Sequence, residues 1–160
     1  TYEHFCSHRQ TPPKRESQGE PAILETKAGI YMAFPVFHMY TDSGYTVYRD
    51  LVEGCIRRLL DRPLIETDLP AITELNLRRQ GQDFILHMLN YVVTGKAKEL
   101  DTVEEKYMVK DKFVRIRTGY SPAGVVRLPS REPVKFHYEN GYTDMEIDHS
   151  GGYEAFLIKQ

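Results

Sequence analysis

Tryptophan is absent from this 160-residue chain, cysteine occurs only twice, and neither sign of charge dominates. The 21 basic residues are outnumbered by 23 acidic ones, for a net charge of -2. Binding to a phosphate backbone needs a basic excess, so nucleic acid is excluded as an expected partner. No apolar run approaches the roughly 20 residues that a membrane-crossing helix requires, and a membrane partner is not expected. The first residues, TYEHFCSHRQ, lack the apolar core of a secretion signal, which sets a cytoplasmic location as the expectation. Hydrophobic residues make up 41% and charged residues 28%, ordinary values for a globular chain.

Few residues suggest metal or nucleophile chemistry. His4, Cys6 and His8 alternate in His4-Phe5-Cys6-Ser7-His8 and would share one face of a strand. Zinc sites take four ligands at wider spacings, and nothing downstream supplies a second pair. These three are weak candidates, and no metal or cofactor is expected. Cys55 lies on the apolar face of a helix pattern and reads as a buried free thiol; a Cys6–Cys55 disulfide stays open, with nothing to support it. No G-x-S-x-G elbow, P-loop or G-x-G-x-x-G turn occurs. Asp144, Glu146 and Asp148 would line one face of a strand, with Met145 and Ile147 turned to the core. A solvated acidic face offers nothing to raise a carboxyl group's pKa, so no catalytic residue is assigned. His87 reads as a hydrogen-bonded core or interface histidine, Asn90 and Tyr91 as a structural strand end. The eleven tyrosines are scattered and read as core and rim packing rather than as a sugar platform.

What is present is an order of elements. Ala22–Thr26 and Ala28–Phe34 are two short β-prone runs, closed by Pro35. A turn-rich stretch follows, with Thr41, Asp42, Ser43 and Thr46 as capping residues. Tyr48, Leu51, Val52, Cys55, Ile56, Leu59 and Leu60 then recur at three- and four-residue spacing, one face of an amphipathic helix. Asp61-Arg62-Pro63 ends it. From Leu64 the period becomes two. Ile72–Arg78 and Phe84–Tyr91 flank a turn at 80–83, and Glu139-Asn140-Gly141 signals another hairpin. Further runs are Met108–Val109, Val114–Arg117, Val125–Leu128, Val134–Tyr138, Thr143–Ile147 and Tyr153–Ile158. Thr94–Lys106 reads as a charged loop and Gly151-Gly152 as a tight turn. The fold class is mainly β: an antiparallel β-sandwich at 64–160, preceded at 1–63 by a strand and one amphipathic helix, the tail of an α/β domain. The expected core is Leu75, Leu77, Phe84, Leu86, Leu89, Val114, Ile116, Phe156 and Ile158. A strand plus one helix closes a layered sheet that this chain does not supply, and the chain starts at Thr1; both suggest a piece of something larger.

A resemblance sharpens this. Ile30-Tyr31-Met32-Ala33-Phe34-Pro35-Val36-Phe37 with Tyr45–Leu60, then Leu77-Arg78-Arg79-Gln80-Gly81 and Leu86-His87-Met88-Leu89-Asn90-Tyr91, resembles the C-terminal region of family 42 β-galactosidases and the related family 151 α-L-fucosidases. His4–His8 followed by Thr11-Pro12 is similar to a stretch just upstream in the fucosidase-like relatives. The resemblance implies the end of a flavodoxin-like trimerisation domain and the small antiparallel domain after it, with both catalytic carboxylates on a (β/α)8 barrel that has no counterpart here. It therefore implies a non-catalytic portion with assembly and scaffold roles, partnered by the parent's barrel domain and by further copies of itself. Leu51, Val52, Cys55, Ile56, Leu59 and Leu60 would form the interface. The alternative is an independent carbohydrate-binding β-sandwich module with a sugar ligand.

Overall fold

The computed structural model describes residues 19–93, 95–96 and 98–160. His4, Cys6 and His8 lie outside them. The chain divides between Asp61 and Arg62 into two compact units.

The first unit opens with a hairpin, β1 (Ile23–Thr26) and β2 (Gly29–Met32), paired from Ile23 opposite Met32 to Thr26 opposite Gly29. Thr26 closes its turn: Oγ1 accepts from the Ala28 N–H at 3.2 Å and donates to the Gly29 carbonyl at 3.1 Å. Two helices follow, α1 (Val36–Ser43) and α2 (Thr46–Leu59). The first replaces the expected turn-rich stretch. Its residues, VFHMYTDS, are mostly modest helix formers, and Pro35 at its N-cap gives no side-chain cap. Thr41 and Ser43 do not cap α2; their hydroxyls donate back to the Phe37 and Met39 carbonyls inside α1. Gly44, in the left-handed region at φ 67°, ends α1 and lets the chain turn. Tyr45, not Thr46, is the N-cap of α2, again without a side-chain bond. Glu53 and Arg57 pair along α2 at 2.7 Å, and Arg58 ties the helix to Glu25 of β1 at 2.6 Å.

The second unit is the β domain. Its strands are β3 (Ile65–Thr67), β4 (Glu74–Gln80), β5 (Asp83–Asn90), the short pair β6 (Gly95–Lys96) and β7 (Asp101–Thr102), then β8 (Met108–Ile116), β9 (Gly124–Leu128), β10 (Phe136–Glu139) and β11 (Tyr142–Lys159). β6 and β7 form a small hairpin within the expected loop at 94–106. The other seven form one antiparallel sheet built around β11. The first half of β11 pairs with β8 and β10, the second half with β5 and β9. The fold class is thus mainly β, as the period of two requires. Asn140 and Gly141, both at positive φ (54° and 87°), make the β10–β11 turn, the Asn-Gly hairpin signature.

β11 corrects one sequence reading. Gly151-Gly152 is not a turn; it lies inside a single 18-residue strand. Inward residues are odd-numbered before it (Thr143, Met145, Ile147) and even-numbered after it (Gly152, Phe156, Ile158). Gly152 takes φ 74°, and the face exchange occurs near this bend. β8 exchanges its faces as well, from Val109 to Val114 and Ile116, with Asp111 at φ 51° between them.

Leu86, Met88, Val109, Val114, Ile116, Val125, Met145, Ile147, Phe156 and Ile158 form the core, with Leu75, Leu77 and Phe84 packed against it. Leu89 was expected there and is not. It follows Met88 on β5, so it faces the other side of the sheet and is only half-buried. No described helix is long and apolar enough to cross a membrane.

Candidate functional site

The β domain carries two constellations of guanidinium and carboxylate groups, and they differ in how well they are satisfied. The first is a ladder across three strands. Register places Glu66 of β3 and Asp144 of β11 on either side of Arg115 of β8. Arg115 Nε donates to Asp144 Oδ1 at 2.6 Å and Nη2 to Oδ2 at 3.0 Å, a two-pronged pair. Nη1 reaches Glu66 at 3.4 Å. The Asp144 hydrogen bonds hold the Arg115 pKa above its ordinary value, against the opposing cost of burial. Beside this ladder, Tyr142 is buried between two cations, with Arg62 and Arg115 at 5.5 and 5.6 Å from its ring centre. Its hydroxyl donates to the Pro63 carbonyl at 2.8 Å, and Arg62 donates to the Asn140 carbonyl at 2.8 Å. Arg115 is held by the close two-pronged contact to Asp144, with Glu66 a longer second partner, and the arrangement reads as structural. Removing it with Arg115→Ala is expected to cost about 1 kcal/mol, because the pair is partly exposed and screened. Urea unfolding measures this.

The second constellation centres on Arg127. Val125 and Arg127 share the inward parity of β9, and Glu154 shares the inward parity of Phe156 and Ile158 on β11. A charged side chain therefore enters the margin of the core from each strand. Their side chains are only 21% and 16% exposed. The Arg127 guanidinium lies over the Phe156 ring at 5.7 Å. Its polar contacts are long: 3.4 Å to Glu154 Oε1, 3.3 Å to Glu154 Oε2, and 3.3 Å to Asp148. Glu154 Oε2 is shielded from solvent and receives no well-formed hydrogen bond. A cleft of about 320 Å³ opens beside Arg127, with Pro133 and Val134 forming an apolar wall.

The residues singled out from sequence distribute as follows. Asp144, Glu146 and Asp148 do face away from Met145 and Ile147, which are fully buried. They divide between the two constellations rather than acting as one set. His87 is not in the core: it is half-buried on the outer face, and its Nδ1 meets the Tyr153 hydroxyl at 2.8 Å with the two rings stacked. Asn90 is fully buried and hydrogen-bonded. On α2, Leu51, Val52 and Cys55 are half-buried, so Cys55 is a free thiol but not a buried one. Ile56, Leu59 and Leu60 are 53%, 56% and 49% exposed. Among the described residues no group of three or more histidine, cysteine or acidic side chains could hold a metal ion. Arg127 and Glu154 escaped the sequence reading. The usable signal was a lone arginine at an inward position of the apolar run Val125-Val126-Arg127-Leu128.

No family model matches the chain, and no curated protein matches it. Among solved structures, α-L-fucosidase isoenzyme 2 from Paenibacillus thiaminolyticus matches 98% of this chain with a TM-score of 0.86. This chain has the fold of part of that fucosidase. Sequence identity is 24%, and the match occupies 24% of the fucosidase chain. The likeness covers the first unit as well as the β domain, so the hairpin and helices of the first unit belong to the shared fold.

Proposed function

We propose that this chain is a non-catalytic C-terminal portion of a multidomain glycoside hydrolase of the α-L-fucosidase or β-galactosidase type, serving assembly and scaffold roles. The carrying observation is the fold match over 98% of this chain to only 24% of a fucosidase chain. A portion of that size leaves room for a separate catalytic domain, the barrel that the sequence resemblance implies. The division at Asp61 agrees with a reading in which residues 1–63 are the tail of an assembly domain and 64–160 a β domain.

The apolar stripe of α2 supports the assembly role. Ile56, Leu59 and Leu60 stay largely exposed, and no residue of α2 is fully buried. Each such side chain would gain roughly 1.5–3 kcal/mol on full burial, and exposed apolar patches mark association surfaces. The partner is a further copy of the chain or the parent's remaining domains.

Two measurements test the proposal. The isolated chain is expected to turn over neither nitrophenyl α-L-fucoside nor nitrophenyl β-galactoside; turnover lost on mutating an acid within residues 1–160 contradicts the reading. In sedimentation velocity the chain is expected to self-associate with rising concentration. Ile56→Asp with Leu59→Asp should shift it to monomer while leaving the β-domain unfolding transition in place. A chain that stays monomeric at high concentration, with α2 protected from hydrogen exchange as well as the β core, contradicts the assembly role.

A further inference from the structure

We propose that the cleft beside Arg127 binds a single neutral sugar ring. The inference goes beyond the scaffold role and stands without it. Its first ground is incomplete satisfaction. Arg115 shows what a structural arginine looks like in this domain, with contacts of 2.6 and 3.0 Å to one carboxylate. Arg127 is more deeply buried, yet its ion-pair contacts to Asp148 and Glu154 are no shorter than 3.3 Å. A half-buried guanidinium with five donors and only loose partners is costly to keep. That cost falls when a ligand in the cleft supplies hydroxyl groups to Arg127.

The second ground is the mixture of groups. The cleft of about 320 Å³ is at the lower end of small-molecule sites. Glu132, Glu146 and Asp148 line it with Arg127 and Lys135. Three carboxylates against two cations disfavour a phosphate or carboxylate ligand. Hydroxyl groups suit the set, because each one donates to a carboxylate and accepts from Arg127 or Lys135. Pro133 and Val134 give the apolar wall against which the C–H face of a ring packs. Asp148, at 81% exposed, stands at the open rim. Among the described residues no aromatic side chain lines the cleft, so binding is weak, with an expected dissociation constant of about 1–10 mM.

The test is an amide chemical-shift titration of the full ¹⁵N-labelled chain with L-fucose and, separately, D-galactose. Saturable changes are expected at Arg127, Val134, Lys135, Glu146 and Asp148. Arg127→Lys keeps the charge but removes the planar fork and should weaken binding about tenfold. Asp148→Asn, at an exposed position, should weaken it several-fold with an unchanged unfolding midpoint; this variant decides the matter if Arg127→Lys perturbs the fold. The proposal is overturned if neither sugar gives saturable shifts, if the shifts map away from the cleft, if Asp148→Asn leaves the affinity unchanged, or if inorganic phosphate produces the same shifts. Sedimentation of the same sample reports separately on assembly, so failure here leaves that reading intact.

Discussion

Truncating Leu86 to alanine is expected to cost the β domain about 2–5 kcal/mol. Leu86 is fully buried in the centre of β5, directly opposite Phe156 of β11. The core cluster it belongs to draws on strands paired with both halves of β11, so no single loop can collapse into the space left behind. With a urea m-value of roughly 1–3 kcal/mol/M for a small domain, a loss of that size lowers the unfolding midpoint by about 1 M or more. Leu89→Ala is the matching control. Leu89 is three positions along the same strand but on the opposite, half-buried face, and its truncation should cost clearly less. If the two costs are reversed, β5 is shifted by one residue, since a slip of one exchanges the faces of a strand.

The same two leucines mark how far the sequence could be read. Alternation located β4 and the inward face of the first half of β11, because a strand with one buried side records that side at every second residue, whereas β5 was found as a largely apolar run. The Asn140-Gly141 turn was legible because positive φ at consecutive residues restricts the residue types. Three things were not legible, each for a physical reason. Leu89 sits in a run apolar on both faces (Phe84-Ile85-Leu86-His87-Met88-Leu89), where alternation carries no information. β11 was read as two strands because paired glycines usually punctuate, whereas here they serve a bend at which the inward parity changes. α1 was missed because its residues are modest helix formers without a capping side chain. For the candidate sugar cleft, only the acidic residues on β11 were visible. Arg127 and Glu154 come together through the pairing of β9 with β11, a contact between distant segments that no local pattern encodes.

Asn90 provides the last expected result. It ends β5 fully buried, opposite Gly152 at the bend of β11. Its Nδ2 donates to the Tyr107 carbonyl at 2.6 Å, and its Oδ1 accepts from the Thr73 hydroxyl at 3.2 Å. One amide thereby ties the entry to β4 and the entry to β8 to the end of β5. Asn90→Ala removes both of these part-buried hydrogen bonds, at about 0.5–1.5 kcal/mol each, and a total of roughly 1–3 kcal/mol is expected in urea unfolding. Asn90→Asp is more informative, because its cost should depend on pH. The carboxylate form would place a buried negative charge against the Tyr107 carbonyl oxygen, whereas the protonated form can donate to that oxygen as the amide does. Burial and the carbonyl both favour the protonated form, so the folded-state pKa of the introduced carboxyl group lies above its unfolded value. A group raised in this way contributes its full stability below the unfolded pKa and loses it as pH rises through the folded one. Asn90→Asp should therefore approach the parent chain's stability in acid and fall progressively behind it toward neutral pH. A stability difference that stays constant with pH means that the side chain at position 90 reaches water, and that the two hydrogen bonds do not hold the strand ends together.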